Sequence, residues 1–298
     1  MTTVNDESST VIEIEALINR IVTEPVIPWM YDVAQLTQLY QQILSAIPRY
    51  LAIYSTAYTY TKAITFFLEH LHHLDVARKD MPFSVDDVDF LVCLILQASD
   101  ENWFRRRDHD RFYQSKVLNK HLRDYAWQLH QKHSRLLVVR LDLYYSKAAQ
   151  VHIGINDVYQ HLDLITQEKY TNHAVFEHLV GHIWRIEQAT DRGYHLHMAY
   201  YFLGSKHQND WYMAKQIGEL WLKVTDNLGT YHNCNTPEEK EKYLKKGILG
   251  VGMIHRDNSI QVDNAINAIA YLARPDKKDQ YLRIKPRNRR EFGKGITP

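Results

Sequence analysis

The sequence predicts an α+β protein in which an all-helical N-terminal region precedes a domain built on a central, mainly antiparallel sheet with flanking helices. Up to about residue 133, apolar residues recur at intervals of three and four, the period of an amphipathic helix. From residue 134, short β-rich segments alternate with helical ones, and a short polar loop joins two of the strands. From residue 135 onwards the predicted order is strand, helix, strand, strand, helix, strand and helix.

Composition and pattern divide the chain of 298 residues into four regions. Residues 1–10 are polar and acidic and are expected to be disordered. Residues 11–133 are expected to form a helical domain, residues 134–282 the sheet domain, and residues 283–298 a basic tail. Residues 271–298 carry nine Lys or Arg against three acidic residues, although the whole chain has a net charge of only +1. This end is expected either to contact a polyanion or to be a solvated tail.

In the N-terminal region the apolar spacing predicts helices, the third of which has a capping signal. Ser84 precedes two aspartates, as is typical of a helix N-terminus. The predicted helices cover residues 11–22, 31–73, 88–97 and 107–133.

The second half of the chain combines both periodicities. In the strand predicted at 135–145, Arg140, Asp142 and Tyr144 alternate with apolar residues. The strands at 183–188 and 194–202 form a hairpin around the polar loop 189–193. The other predicted strands are 231–235 and 252–255, and the predicted helices are 156–178, 210–224, 237–246 and 262–273.

Composition excludes two protein classes. Cys93 and Cys234 are the only cysteines, so a disulfide framework is not expected and the reducing cytoplasm of a cell fits best. The N-terminus has no basic segment followed by an apolar one, and no run of 18 apolar residues occurs. We therefore expect neither a secretion signal nor a membrane partner.

The predicted hairpin carries a candidate metal site. His195 and His197 are two residues apart on one strand, so both imidazoles project from the same face. Glu187, on the preceding strand, is expected to pair opposite His195. Two imidazoles and a carboxylate suit a divalent cation and leave coordination positions open. The alternative is that these histidines lie on an ordinary sheet face.

Tyr271 is a candidate nucleophile at the end of the last predicted helix, with Arg274 three residues later on the same helix face. A tyrosine that attacks a phosphodiester needs a metal to polarise the phosphate and a cation to stabilise developing charge. Spacing alone does not select Tyr271, because the pattern Y-x-x-K occurs four times elsewhere, for example at Tyr212 and at Tyr243.

Several segments together resemble replication initiators of inovirus-type filamentous phages and related prophage proteins, within the HUH (His-hydrophobic-His) rolling-circle endonuclease superfamily. The resemblance covers about residues 135–285. The segments are L-V-V-R-L-D-L at 137–143, H-L-V-G-H-I-W-R-I-E at 178–187, G-Y-H-L-H-M-A-Y-Y-F at 193–202, M-A-K-Q-I-G-E-L-W at 213–221, G-V-G-M-I at 250–254, A-I-A-Y-L-A-R at 268–274 and D-Q-Y-L at 279–282.

The resemblance implies a metal-dependent, site-specific DNA nickase that initiates rolling-circle replication in a bacterial host cell. Mg²⁺ or Mn²⁺ would be held by Glu187, His195 and His197. Tyr271 would attack the scissile phosphate to give a 5′-phosphotyrosine and a free 3′-OH, and the reverse reaction would join strands. In the superfamily the catalytic tyrosine lies on the helix after the strand that follows the His-x-His strand and its helix, which is the place of Tyr271. Tyr212 lies on the first helix after the His-x-His strand, which is too early, and is the second choice of nucleophile.

The resemblance also implies the remaining site residues and the partners. The superfamily has a Lys three residues after the tyrosine, whereas this chain has Arg274. Lys277 or Lys278 is the other candidate cation. Single-stranded and origin DNA are the expected partners, held by basic residues and by stacking on Tyr144, Tyr200 or Trp184. The N-terminal region is expected to bind duplex origin DNA or a host replication protein.

Two rival hypotheses remain. One is a non-catalytic DNA-binding replication or regulatory protein on the same fold. The other is a zinc hydrolase that uses His178 and His182, which would lie one turn apart if a helix extended through both residues. Glu177 lies beside this pair and not between its members, which differs from the usual spacing of helical zinc hydrolases.

Overall fold

The structure is a computed structural model, and its contacts divide the chain into two compact units. Residues 1–110 and 283–289 form the N-terminal unit. Residues 111–282 and 290–298 form the sheet unit. The residues that the structure describes are 6–24, 33–273 and 280–296.

The predicted α+β fold class is confirmed. In chain order the elements are α1 (Glu7–Thr23), α2 (Val33–Ala52), β1 (Tyr58–Tyr60), α3 (Lys62–Arg78), α4 (Val85–Ser99), α5 (Asn102–Arg105), α6 (Arg107–Lys132), β2 (Arg135–Tyr145), α7 (Lys147–Gln150), α8 (Ile155–Thr171), α9 (His173–Phe176), β3 (Leu179–Ala189), β4 (Gly193–Leu203), α10 (Asp210–Val224), β5 (Gly229–Asn233), α11 (Pro237–Lys245), β6 (Gly252–His255), α12 (Ser259–Ala270), a 3₁₀ turn (Tyr271–Ala273), β7 (Ile284–Pro286) and β8 (Phe292–Lys294).

In the N-terminal unit, α1, α2, α3 and α4 pack on one another. The capping signal before α4 is confirmed, because the backbone N–H of Ser84 donates to Oδ2 of Asp87 at 2.6 Å. β1 and β7 form a two-stranded antiparallel sheet. In the same unit, Nε of Arg283 lies 2.7 Å from Oε2 of Glu15, in a buried ion pair. None of the described helices is long and apolar enough to cross a membrane.

The sheet unit contains a six-stranded sheet in the order β5-β2-β4-β3-β8. β6 also pairs with β2, and it shares that strand's edge with β5. All of these pairs are antiparallel, as predicted. β2 and β4 are central in this order, and their residues are almost entirely buried. The sheet therefore places the predicted metal-binding strand, β4, in the interior of the domain.

Helices pack on both faces of this sheet. On one face, Trp221 of α10 lies beside Tyr145 of β2, with ring centroids 5.4 Å apart. On the other face, α6 and α12 form an apolar cluster with one end of the central strands. This cluster includes Leu122, Tyr125, Ala126, Leu129, Leu136, Val138, Ile183, Ala199, Tyr201, Ile266 and Ile269. The other end of the same face, beyond the cluster, carries the candidate site.

The chain differs from the sequence predictions at its ends. α1 begins at Glu7, so residues 7–10 are helical where disorder was expected; Asp6 caps the helix by accepting a hydrogen bond from Ser9 N–H at 2.9 Å. The first part of that segment, residues 1–5, lies outside the described residues. The predicted tail contains β7 and β8, which pair with β1 and β3.

The domain boundary also differs from the predicted position after residue 133. The boundary at residues 110/111 assigns nearly all of α6 to the sheet unit. The physical reason is that Leu122, Tyr125 and Leu129 of this helix belong to the same apolar cluster as β2 and β4. Helical periodicity identifies such a helix, but it carries no information about which domain the apolar face contacts.

Candidate metal centre and adjoining cavity

The candidate metal centre is built by the register of three adjacent strands. Glu187 of β3 lies directly opposite His195 of β4, as predicted. Asp142 of β2 lies opposite His197 of the same β4 strand. Residues directly opposite one another in antiparallel strands project from the same face. The register therefore collects two imidazoles and two carboxylates on one surface.

Three of these side chains are close enough to share one ion. Oε2 of Glu187 lies 3.1 Å from Nε2 of His197 and 3.6 Å from Nε2 of His195. The candidate ligand atoms of all three residues lie within 4.8 Å of one another. Only 0% of Glu187, 5% of His197 and 1% of His195 is exposed to solvent. The predicted cluster is thus present as a buried group that can hold a metal ion, and the identity of the ion stays a prediction.

Hydrogen bonds on the far sides of the imidazoles fit metal binding. Nδ1 of His197 lies 2.6 Å from Oδ1 of Asp142, and Nδ1 of His195 lies 3.2 Å from the carbonyl oxygen of Gly193. Both neighbours are acceptors for a hydrogen on Nδ1. When a metal ion lies between the imidazoles and Glu187, this hydrogen stays on Nδ1 and the Nε2 lone pair is free to bind the ion. A carboxylate or carbonyl behind a ligating imidazole is the usual arrangement at protein metal sites.

At the metal centre, acidic and basic side chains shift one another's pKa values. Burial alone would raise the pKa of Asp142, but His197 and Arg140 hold it well below its usual range. Burial alone would lower the pKa of His197, but the carboxylates of Asp142 and Glu187 raise it above its usual value. The two carboxylates therefore favour a positive charge at this position, whether it is a proton or a metal ion.

A cavity of about 750 Å³ adjoins the metal centre. Its lining includes His197 and Asp142 from the sheet, Arg192 from the hairpin loop and Lys246 from the end of α11. Tyr271, the predicted nucleophile, also lines it. The cavity thus connects the polar end of the sheet with the segment that follows α12.

Tyr271 lies in the 3₁₀ turn after α12 and not in the last helical turn that the sequence predicted. Its side chain is 43% exposed. The guanidinium carbon of Arg140 lies 5.8 Å from its ring centroid. Nη1 of Arg185, whose Nε lies 3.5 Å from Oε1 of Glu187, donates a hydrogen bond to the carbonyl oxygen of Leu272. Arg185 therefore links a candidate metal ligand to the turn that carries Tyr271.

The remaining predicted catalytic residues are Arg274, Lys277 or Lys278, and the second-choice nucleophile Tyr212. Arg274, Lys277 and Lys278 lie outside the described residues. Tyr212 is not among the described residues that line the cavity. It lies in the first turn of α10, the helix that packs on the opposite face of the sheet through Trp221. Of these two tyrosines, Tyr271 is the one that lines the cavity beside the metal centre.

Tyr243 is a further tyrosine of the cavity that the sequence reasoning did not choose. It begins one of the Y-x-x-K patterns, and Lys246 of that pattern lines the cavity as well. Burial and the neighbouring thiol of Cys234 raise the pKa of Tyr243 far above its usual value. A raised pKa disfavours the phenolate, so Tyr243 is a weaker candidate nucleophile than the more exposed Tyr271.

Asp142, Arg140 and Arg185 were also missed as site residues. The signal for the first two was available, because strand alternation placed both on the polar face of β2. What was missing was the pairing of β2 with β4, which sets Asp142 opposite His197. Arg185 is two residues before Glu187 on β3 and projects from the same face.

Two sequence hypotheses are wrong. The zinc-hydrolase alternative required His178 and His182 on one helix, but His182 lies on strand β3 and His178 lies in the turn before it. Nε2 of His182 instead lies 2.6 Å from Nζ of Lys169. Tyr200 cannot stack on DNA bases, because it is completely buried on the face opposite His197.

The family sequence model of the YagK/YfjJ C-terminal domain matches residues 112–295, more than half of the chain. The chain belongs to the YagK/YfjJ C-terminal domain family. This family is found in prophage-like proteins. Its matched range begins within α6 and ends after β8, so the YagK/YfjJ domain includes the complete six-stranded sheet and its candidate metal centre. Neither a curated protein nor a solved structure matches the chain significantly.

Proposed function

We propose that this protein is a metal-dependent, site-specific DNA nickase and strand transferase that initiates rolling-circle replication, as inovirus-type HUH initiators do. The observation that carries the proposal is one cavity lined by both His197 of the metal centre and Tyr271. A nicking enzyme needs these two elements next to one phosphate. Membership of a family found in prophage-like proteins is consistent with replication of a mobile element.

In the proposed reaction, Tyr271 is the nucleophile. A divalent cation such as Mg²⁺ or Mn²⁺, bound by Glu187, His195 and His197, would polarise the scissile phosphate. The phenol oxygen of Tyr271 loses its proton to water and forms a bond to phosphorus, while the bond from phosphorus to the 3′ oxygen breaks. The 3′ oxygen takes up a proton, which leaves a free 3′-OH and a 5′-phosphotyrosine. Attack of a 3′-OH on this ester reverses the reaction and joins two strands.

The remaining residues position the DNA and the nucleophile. Asp142 orients His197, and Arg185 holds the turn next to Tyr271. Tyr144 is the retained stacking candidate, because it lies on the site face of β2, stacked on His195 with ring centroids 5.7 Å apart. Trp184 pairs with Met198 and therefore projects from the opposite face of the sheet. In this proposal the host is a bacterium, the reaction takes place in the cytoplasm, and the N-terminal unit binds duplex origin DNA or a host replication protein.

Covalent capture tests the proposal. Single-stranded oligonucleotides that tile both strands of the DNA around the gene are labelled at the 3′ end, since that fragment would remain on the protein. Each is incubated with the protein and Mn²⁺ and run on a denaturing gel. We expect a shifted, labelled band with one strand of one site. The band should disappear with EDTA and in Tyr271→Phe, and it should persist in the matched control Tyr212→Phe.

The outcomes separate the candidate functions. An adduct that survives in Tyr271→Phe would contradict the assignment of the nucleophile, and mass spectrometry would then locate the modified tyrosine. Absence of an adduct with every oligonucleotide, combined with retention of one of them in a native gel, would support the non-catalytic DNA-binding protein instead.

A further inference from the structure

The cavity beside the metal centre has an excess of positive charge. Arg123, Arg140, Arg192 and Lys246 contribute to its lining, whereas Asp142 is the acidic residue among the described lining residues. The Asp142 carboxylate already accepts the Nδ1 hydrogen of His197. This excess contrasts with a net charge of +1 for the whole chain. Clustered cations of this kind favour an anionic ligand.

Arg140 is the cation at the centre of this group. Its side chain is only 13% exposed, and Nη2 lies 3.6 Å from Oδ1 of Asp142, which is an ion pair but too long for a hydrogen bond. Nε is buried, and none of the described residues accepts a hydrogen bond from it. A buried guanidinium donor without an acceptor is costly, and a bound oxyanion would provide one.

The backbone around Arg140 is firmly held, which fixes the starting point of its side chain. Its N–H donates to Oδ1 of Asn235 at 2.8 Å, and its carbonyl oxygen accepts from the N–H of Cys234 at 3.2 Å. Asn235 is completely buried and donates in turn to the carbonyl oxygen of Val138 at 2.9 Å. Arg140 thus stands on a rigid central strand between Asp142 of the metal centre and the ring of Tyr271.

We propose that Arg140 is a phosphate-binding residue that contacts the phosphate oxygens of a single-stranded DNA ligand inside the cavity. Arg192 and Lys246, which are exposed at the hairpin loop and after α11, contact neighbouring phosphates. The planar guanidinium offers several donors to one phosphate and stays charged at all physiological pH values. The identity of the anion as DNA rests on the proposed function. The binding of an anion in this cavity is argued only from the charges that line it and from the buried Nε of Arg140.

Salt dependence of binding tests the role of Arg140 without any nicking. The probe is a fluorescein-labelled decathymidylate in EDTA, and fluorescence anisotropy gives its Kd at several salt concentrations. Each phosphate contact to single-stranded DNA contributes about 0.7 to the slope of log Kd against log salt. We expect Arg140→Gln to reduce this slope by about 0.7 and to raise Kd about tenfold. Arg140→Lys should keep the slope and raise Kd less.

Arg256→Gln is the matched control, because Arg256 is an exposed arginine that donates to the carbonyl oxygen of Gln131 and does not line the cavity. An unchanged Kd and slope in Arg140→Gln, or an equal loss in Arg256→Gln, would overturn the proposal. If Arg140→Gln does not fold, modification of the wild-type protein by phenylglyoxal is the alternative test. Decathymidylate should slow the modification of Arg140 and leave that of Arg256 unchanged. A rate of modification at Arg140 that is the same with and without decathymidylate would refute the contact.

The two proposals fail in distinguishable ways. Weaker decathymidylate binding in Arg140→Gln, without a covalent adduct in any wild-type reaction, would support the phosphate site and contradict the nickase. An adduct through Tyr271 that forms in Arg140→Gln at the wild-type rate would leave the nickase standing and remove the phosphate site.

Discussion

Asp142→Asn is the sharpest test of how the metal centre is organised. The substitution keeps the size of the side chain and an acceptor oxygen, but removes the negative charge that lies 2.6 Å from Nδ1 of His197. Without that charge the amide can also donate to Nδ1, which would favour the tautomer with hydrogen on Nε2, the atom that faces Glu187. The change therefore weakens a ligand of the centre without removing it.

The expected loss of metal affinity follows from this position behind a ligand. Changes at such partners cost about 10–100-fold in metal affinity, which corresponds to about 1.4–2.8 kcal/mol. Isothermal titration of metal-free protein with Mn²⁺ measures the loss directly. His195→Ala, which removes a ligand, should abolish binding, and Asp257→Asn, which makes the same charge change at an exposed turn, should bind as the wild type does.

Two results would refute the reasoning at different levels. If Asp142→Asn binds Mn²⁺ within twofold of the wild type while His195→Ala loses binding, the metal centre is present but Asp142 does not orient His197. If His195→Ala binds as tightly as the wild type, the cluster of Glu187, His195 and His197 is not the metal site. Circular dichroism of each variant separates loss of binding from loss of the fold.

Two further predictions concern stability. Burial and the nearby His133 lower the pKa of His130 to about 4, so between pH 6.5 and 4 the unfolded state binds more protons than the folded state. The free energy of unfolding therefore decreases as the pH is lowered through that range. His130→Leu should remove about 2 kcal/mol of the decrease between pH 7 and 5, measured by urea unfolding with His255→Asn as the control. In Gly250→Ala, the new Cβ would lie 2.3 Å from the carbonyl oxygen of Asn264 in α12, so the unfolding free energy should fall by about 1–3 kcal/mol.

Each stability prediction can fail clearly. A loss of stability at pH 5 that is equal in His130→Leu and the wild type would show that another group dominates the acid response. Full stability in Gly250→Ala would show that the segment before β6 can move away from α12. Because Gly250 also lines the cavity, decathymidylate binding should weaken in the same variant if that segment shifts.

Most of the secondary structure was predictable because its signals are local. β2, α10 and β6 have the predicted bounds, and α4 has its predicted cap. The predictions were less accurate where tertiary pairing overrides composition. Residues 292–294 look like part of a basic tail, yet β8 pairs with β3, since an edge strand is defined by its neighbour and not by its own polarity.

The sequence by itself determined the hairpin and the pair His195 and His197, because strand alternation and turn chemistry act over a few residues. It also determined that Glu187 pairs opposite His195, since a short loop sets the register of the two strands. The tertiary structure alone decided that Asp142, 55 residues before His197, and Arg140 join this cluster, and that Tyr271 lines the same cavity. Register between distant strands and the docking of α12 depend on long-range packing, which periodicity does not encode.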